Sequence, residues 1–184
     1  MSKILITGGP GVGKTTLFTK ILDSLVVMRY RVAGFVCPEV REMGRRAGFR
    51  IIDLSSGVSG WLALSLEKLQ GPCKGARIGR YCVIEDDVER VMGETQRSLD
   101  NADLIAIDEI GPMELSVDSC RRIIYRAIES PKPGLFVVHL RLVNEISDRI
   151  RASGWGYNLY HVSLGNRDSL YQAILDRIRP LIER

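Results

Sequence analysis

The stretch GGPGVGKTT, residues 8–16, constrains the fold more than any other part of this chain of 184 residues. It contains Gly8, four further residues and then Gly13-Lys14-Thr15, and so satisfies the pattern G-x-x-x-x-G-K-[ST]. An apolar run, Lys3 to Thr7, precedes it, and a helix-forming stretch from Lys14 to about Met28 follows it. Because this strand–loop–helix setting is the one in which the pattern cradles phosphates, the sequence predicts a nucleotide-binding α/β fold.

Each part of this loop has a predicted role in holding a triphosphate. The glycines let the backbone turn its N–H groups toward phosphate oxygens, and the following helix adds its positive end. Lys14 is predicted to contact the β- and γ-phosphates, and the Thr15 hydroxyl to bind Mg²⁺. The predicted nucleotide-binding residues of the loop are Gly8, Gly9, Pro10, Gly11, Val12, Gly13, Lys14, Thr15 and Thr16.

A second feature is the stretch LIAIDEIGPMEL, residues 104–115, in which an apolar run ends in two adjacent carboxylates. Alone, such a stretch indicates only a strand that ends in a polar turn. With a phosphate-binding loop in the same chain, Asp108 is predicted to hold Mg²⁺, the cofactor. Glu109 is predicted to orient and deprotonate an attacking water.

The same segment also satisfies D-x-x-G, the γ-phosphate-sensing turn of switch GTPases. Those proteins carry a base-reading motif of the type N-K-x-D as well. The nearest segment here is NRDS, residues 166–169, in which Ser169 stands at the Asp position. A regulatory GTPase is therefore disfavoured, whereas GTP remains a candidate substrate.

Apolar runs alternate with helix-period stretches along most of the chain, which is typical of a parallel α/β sheet. We predict a single domain, residues 1–184, with a RecA-like three-layer α/β/α fold and a mostly parallel five-stranded core. The predicted strands are Lys3 to Thr7, Arg31 to Cys37, Leu104 to Asp108, Leu135 to His139 and Leu159 to Leu164. The predicted helices are Lys14 to about Met28, Glu85 to Asn101, Ser116 to Glu129, Val143 to Ala152 and Asp168 to Glu183.

The segment 48–83 does not follow this alternation. Its short β-like pieces, 49–54, 61–66 and 78–83, are separated by Gly, Ser and Pro. We interpret it as an antiparallel β insertion between the second and third core strands, not as a second domain.

Composition excludes few classes of protein. A hydrophobic content of 45% and a charged content of 26% are those of a globular protein, and no apolar run is long enough to span a bilayer. Without a secretory signal pattern at the N-terminus, we expect a cytoplasmic monomer with no membrane partner.

The four cysteines, Cys37, Cys73, Cys82 and Cys120, form no C-x-x-C pair and are predicted to be reduced thiols. The net charge of +4 is compatible with nucleic acid but does not favour it over polyphosphates.

Taken together, the motifs resemble the cancer-related nucleoside-triphosphatase family over nearly the whole chain. The matching elements are GGPGVGKTTL at the start, GF at 34–35, EVREMGRRAGFRIIDL at 39–54, IGRYCV at 78–83, IDEIGPMEL at 107–115 and NRD at 166–168. The resemblance implies slow, Mg²⁺-dependent hydrolysis of ATP, GTP, CTP and UTP to the diphosphate and phosphate. Two positions depart from the family pattern: His139-Leu140-Arg141 replaces a Thr and an Ile-Pro-like turn, and Cys37 replaces a small polar residue.

The resemblance also implies roles for residues outside the two motifs, each with an alternative. Arg41 and Arg46 match family positions and could stabilise transition-state charge, form a solvated turn, or contact RNA with Phe35 and Phe49 stacking on bases. Glu114 could orient Glu109 or water on Mg²⁺, or simply favour a helix start. Asn166 and Arg167 could contact the base or ribose, although an Asn at a helix start is also an ordinary N-cap.

Three functions are open at this level. The first is nucleoside-triphosphate hydrolysis, with Lys14, Glu109, Arg46, Arg41 and Glu114 as the candidate catalytic residues. The second is a P-loop kinase acting on a nucleoside, a nucleotide or an RNA end, in which Glu109 activates an acceptor hydroxyl and segment 48–83 forms the acceptor pocket. The third is a non-catalytic module that binds nucleotides to regulate an interaction.

Overall fold

Ten strands form one mixed sheet in the computed structural model, which describes residues 2–183. The strands are β1 (Ser2–Thr7), β2 (Val32–Val36), β3 (Glu39–Glu42), β4 (Arg45–Asp53), β5 (Ser59–Ser65), β6 (Arg77–Ile78), β7 (Tyr81–Val83), β8 (Leu104–Ile110), β9 (Gly134–Val138) and β10 (Gly156–His161). The helices are α1 (Lys14–Val27), α2 (Glu85–Leu99), α3 (Pro112–Ser116), α4 (Asp118–Glu129), α5 (Val143–Ala152) and α6 (Arg167–Ile182). Two short 3₁₀ turns cover Leu66–Lys68 and Leu140–Leu142. No helix in residues 2–183 is long and apolar enough to cross a membrane.

The parallel half of the sheet has the order β10-β1-β9-β8-β2. Strand β9 thus lies between β1, which precedes the glycine-rich loop, and β8, which carries the two carboxylates. This insertion of one strand between the loop strand and the acidic strand is the RecA-like arrangement. The predicted fold class, with a five-stranded parallel core, is confirmed.

Helices cover both faces of the parallel strands because alternate side chains point to opposite faces. Ile4 and Ile6 pack with the apolar sides of α1 and α6 on one face. Leu5 and Phe136 belong to a second cluster, which the buried sides of α2, α4 and α5 complete on the other face. The result is the predicted three-layer structure.

The insertion differs from its predicted form in two ways. It begins at Glu39, because β3 pairs antiparallel with β4 to form a hairpin. Glu39–Glu42 is largely charged and exposed, so the apolar periodicity used in the prediction missed it. It also continues the main sheet, since β4 pairs with β2 and is followed by β5, β7 and β6.

Two other element boundaries were predicted wrongly. The helix predicted from Ser116 to Glu129 begins at Asp118, as α4. Ser116 instead ends a separate short helix, α3, and the extended residue Val117 lies between the two. The last strand spans Gly156–His161 and not Leu159 to Leu164, because its register with β1 ends where Thr7 pairs with His161. Beyond Thr7 the partner strand gives way to the glycine-rich loop.

The prediction that all four cysteines are reduced is wrong. Cys73 and Cys82 form a disulfide, whereas Cys37 and Cys120 are free thiols. The loop before β6 brings Cys73 within 5.6 Å of Cys82, measured between Cα atoms. Because these cysteines form no C-x-x-C pair, their spacing in the sequence did not indicate that they lie close together.

Lys3 in β1 is a charged residue whose side chain is fully buried. Its ammonium donates hydrogen bonds to three carbonyl oxygens at the end of α4 and in the following loop: Ala127 (3.2 Å), Ser130 (2.7 Å) and Lys132 (2.5 Å). Burial lowers the pKa of Lys3 to about 8. The side chain thus satisfies carbonyls that a helix end leaves unpaired, and it joins α4 to β1.

We predict that Lys3→Met lowers the free energy of unfolding by about 3 kcal/mol, because the buried carbonyls lose their donor. Urea denaturation measures this change, with Lys74→Met at an exposed position as the matched control. Equal stability of the two variants would show that the buried ammonium contributes nothing net.

Candidate nucleotide site

The loop between β1 and α1 has a backbone that requires glycine. Gly8, Gly11 and Gly13 have φ angles of 154°, 73° and 95°, a region that other residues rarely adopt. A Cβ atom on Gly8 would lie 2.5 Å from the Val162 carbonyl oxygen. A Cβ on Gly13 would lie 2.7 Å from Cδ of Arg167. The loop therefore packs directly against the segment that follows β10.

Lys14 folds back over this loop. Its Nζ donates to the carbonyl oxygens of Gly8 and Gly9, both at 3.0 Å. Gly13 caps α1 in a left-handed conformation, so the helix begins at Lys14. The arrangement places the ammonium group and the positive end of α1 beside the same concave backbone, which suits a phosphate chain.

The two carboxylates lie at the carboxyl end of β8. Asp108 is 4% exposed, and burial raises its pKa to about 6. The Thr15 hydroxyl and the positive charge of Lys14 oppose this rise in the pKa of Asp108. Burial likewise raises the pKa of Glu109, and Lys14 again opposes it. Lys14 and Thr15 of the loop thus share one electrostatic environment with residues of a distant part of the chain.

Strand β9 aligns the two halves of this site. The Thr7 hydroxyl at the end of β1 donates to the Val138 carbonyl at the end of β9, at 2.8 Å. The backbone N–H of His139 then donates to the carbonyl of Ile110 in β8, at 3.0 Å. The ends of the loop strand and the acidic strand therefore lie at one edge of the sheet.

The donor groups at this edge fit Mg²⁺. Thr15 supplies a hydroxyl oxygen and Asp108 a carboxylate oxygen, both hard ligands. No cluster of three or more His, Cys, Asp or Glu side chains that could hold a metal is found in residues 2–183. A cation held by one or two protein groups, with phosphate oxygens and water completing its coordination, matches this sparse set.

Glu114 lies in the first turn of α3, as the helix-dipole alternative expects, but it is also buried. It is 6% exposed, and burial raises its pKa to about 8, with the negative charge of Glu109 acting in the same direction. A Cβ on Gly111 would lie 2.7 Å from its Oε2 atom. Glu114 is therefore packed behind the turn that follows Glu109, and burial favours its protonated form at neutral pH.

Arg41 and Arg46 make their ion pairs within the β3–β4 hairpin. Both lie on the β3–β4 hairpin and both contact the carboxylate of Glu39. They line a cavity together with Arg45 and Arg80. Their predicted contact with the triphosphate stays a prediction.

Arg167 is brought next to the loop, as its packing against Gly13 shows. Asn166 has a local structural role: its amide donates to the His161 carbonyl (2.9 Å), and its side-chain oxygen accepts from the backbone N–H of Ser163 (2.8 Å). These bonds hold the segment after β10 against the loop. A contact of either residue with a base or ribose stays a prediction.

A cavity of about 290 Å³ beside Glu109 was not recognised from the sequence as a unit. Its lining includes His139 and Cys37, the two departures from the family pattern, together with Phe49 and Met113. The side chain of His139 accepts a hydrogen bond from the backbone N–H of Arg141 (3.3 Å). Residues from β4, β6, α3 and the ends of three strands, β2, β8 and β9, meet here, so only the sheet order could reveal the cavity.

The strand, glycine-rich loop, helix and distant acidic strand define a P-loop nucleotide-binding protein of RecA-like topology. The chain matches the family described as NTPase over residues 3–175, and it belongs to that family. It is 46% identical to the nucleoside-triphosphatase THEP1 of Hyperthermus butylicus over 100% of this chain and 94% of that protein. It is 40% identical to THEP1 of Saccharolobus solfataricus over 96% of this chain and 92% of that protein.

Two solved structures are similar to this one. The solution structure of a human cancer-related nucleoside triphosphatase has a TM-score of 0.76 and 29% identity, over 98% of both chains. The crystal structure of THEP1 from Aquifex aeolicus has a TM-score of 0.72 and 28% identity, over 96% of this chain and 98% of that one. The predicted family and enzyme class, a nucleoside-triphosphatase, are confirmed by these matches.

We predict that the pH dependence of stability reveals the buried Glu114. Its pKa is 4.5 when unperturbed and about 8 in the fold. Between these values the folded state binds more protons than the unfolded state, so this group lowers stability as pH rises, by up to roughly 1.4 kcal/mol per pH unit. In Glu114→Gln this contribution is absent, so the free energy of unfolding should fall less across the window.

Urea denaturation at the two ends of that window measures the difference. The exposed substitution Glu89→Gln is the matched control and should keep the parent dependence. Parallel curves for Glu114→Gln and the parent would contradict the raised pKa.

Proposed function

We propose that the protein hydrolyses Mg²⁺-bound nucleoside triphosphates to the diphosphate and phosphate, with Glu109 orienting the attacking water. The observation that carries this proposal is the alignment of the loop strand and the acidic strand at one edge of the sheet, where Lys14 lowers the burial-raised pKa of both Asp108 and Glu109. A loop that holds phosphates and a carboxylate that can accept a proton therefore share one site.

In the proposed reaction the triphosphate lies in the loop of residues 8–16, with Lys14 against the β- and γ-phosphates. Thr15 and Asp108 would hold Mg²⁺, which when bound neutralises negative charge on the phosphate oxygens. The water oxygen forms a bond to the γ-phosphorus, the bond from that phosphorus to the bridging oxygen breaks, and the water proton passes to Glu109.

The burial of Glu109 supports its role as a base. A partly desolvated carboxylate has a raised pKa and accepts a proton more readily than an exposed one. Glu109 also has access to the cavity beside it, whereas Asp108 is enclosed. Asp108 is therefore proposed as the residue that holds Mg²⁺, and Glu109 as the residue that faces water.

Broad base tolerance is part of the proposal. At the position where an N-K-x-D motif has its base-reading Asp, Ser169 donates its hydroxyl to the Asn166 carbonyl, at 2.9 Å. A hydroxyl engaged with the backbone does not read a guanine edge. We therefore propose ATP, GTP, CTP and UTP as substrates.

We predict that Glu109→Gln lowers phosphate release from Mg·ATP and Mg·GTP by about a hundredfold, the scale of a lost general base. Nucleotide affinity, measured by calorimetry, should stay near that of the parent because the loop is unchanged. Glu89→Gln is the control for a charge change on the surface. Equal phosphate release from Glu109→Gln and the parent would contradict the assignment of Glu109 as the residue that orients water.

We predict that Asp108→Asn raises the Mg²⁺ concentration needed for half-maximal hydrolysis at least about tenfold, because an amide oxygen is a weaker ligand than a carboxylate. The measurement is a Mg²⁺ titration of phosphate release at saturating ATP. Glu109→Gln should lower the rate without this change in metal requirement. A similar shift in both variants would mean that the two carboxylates do not have separate roles.

A further inference from the structure

Two cavities lie next to each other at the site edge of the sheet. The first, of about 290 Å³, has Glu109, Glu114 and His139 in its wall. The rest of its lining is largely apolar and includes Phe49, Ile78 and Met113. The second, of about 580 Å³, is lined by Arg41, Arg45, Arg46, Arg80 and Ser65, among others. Attack by water uses the first cavity only as the space that Glu109 faces, and it does not use the second cavity.

Strand register puts both cavities at the edge that carries the carboxylates. Val36 pairs with Asp108 in the parallel half and with Ile52 of β4 across the antiparallel junction. The first residues of β4 therefore extend past the carboxyl end of β8. Ser65, at the end of β5, pairs with Tyr81 at the start of β7, so Arg80 lies on this side as well.

Phe49 joins the two cavities. Its ring lines the first cavity, and the guanidinium of Arg46, from the second, lies 5.4 Å from its centroid. Tyr81 meets the same ring edge-on at 5.3 Å between centroids, and the Arg80 guanidinium lies 5.4 Å from the Tyr81 ring. Aromatic faces thus hold two of the four arginines in place at the boundary.

The second cavity is lined by four arginines and one carboxylate, Glu67, so its net positive charge suits an anion. Arg41 and Arg46 share the single carboxylate of Glu39. Within residues 2–183, Arg45 and Arg80 have no carboxylate at ion-pair distance. Guanidinium groups bind phosphate oxygens in pairs of parallel hydrogen bonds, so a phosphate is the ligand that this cavity fits best.

We propose that these cavities bind a second nucleotide, which accepts the γ-phosphoryl group in place of water. Its phosphate occupies the arginine cavity, its base packs beside Phe49, and a free hydroxyl at the far end of its ribose meets Glu109. The hydroxyl oxygen forms a bond to the γ-phosphorus of the triphosphate, the bond to the bridging oxygen breaks, and the hydroxyl proton passes to Glu109. This inference rests on the proposed function, because both use Glu109 and the phosphate loop.

Two kinds of molecule carry the phosphate, base and free hydroxyl that this site requires: a free mononucleotide and the end of an RNA chain. The test incubates the full chain with Mg·ATP labelled at the γ-phosphate and, in separate arms, 5′-mononucleotides, 3′-mononucleotides and a short RNA with a 5′-hydroxyl. Transfer of label to a mononucleotide supports the proposal with a free nucleotide as acceptor. Transfer to the RNA alone supports it with an RNA end as acceptor. Absence of transfer in every arm overturns the acceptor role.

The arginine cavity is tested with the double variant Arg45→Ala/Arg80→Ala. Its KM for the acceptor should rise at least about tenfold, the loss expected for charged contacts to a phosphate, while phosphate release without acceptor stays within about twofold of the parent. Arg97→Ala, an exposed arginine on α2, is the matched control. An unchanged acceptor KM in the double variant would overturn the assignment of the cavity.

Calorimetry separates this inference from the proposed function. The acceptor found above is titrated into Lys14→Ala, in which the phosphate loop is impaired but both cavities are intact. Acceptor binding should persist there and be lost in the double arginine variant. If the parent shows neither hydrolysis nor transfer, the proposed function fails. If the parent hydrolyses ATP but binds no acceptor, only the second-nucleotide site is wrong.

Discussion

The site depends on the alignment of strand ends that β9 imposes. The hydroxyl of Thr7 and the backbone N–H of His139 bond across the ends of β1, β9 and β8, so the loop and the acidic pair finish at one edge. Parallel strands all present their carboxyl ends at the same edge, and in such sheets the ligands bind there. Strand β9 thus sets the separation between the lysine of the loop and the two carboxylates.

Burial then determines the pKa and the protonation state of each acidic residue at this edge. Asp108, Glu109 and Glu114 are close in sequence, and desolvation is the largest cause of the raised pKa of each. They differ in the interactions that oppose this rise in pKa. Lys14 opposes the rise for the first two, whereas Glu114 receives only hydrogen bonds and lies behind the turn. One short segment thus provides two carboxylates that face a cationic loop and a third that burial keeps neutral.

The insertion adds a different kind of surface to the same edge. Because β4 pairs with β2, the hairpin of β3 and β4 extends beyond the parallel strands and carries its arginines with it. Phe49 and Tyr81 hold two guanidinium groups at the boundary with the cavity beside Glu109. The family resemblance located Arg41 and Arg46 along the chain, and the fold brings them together with Arg45 and Arg80 around one cavity.

The features that short segments encode were predictable from the amino-acid sequence. The glycine spacing of residues 8–13 and the apolar run into Asp108 each specify a backbone conformation within a few residues, and both motifs are found where they were predicted. Most helices and core strands followed from periodicity for the same reason. The tertiary structure decided what no local pattern encodes: the order of strands, the bond between Cys73 and Cys82, the burial of Glu114, and the arginine cavity. Each of these depends on which distant segments pack together, because burial and electrostatic environment are properties of neighbours in space.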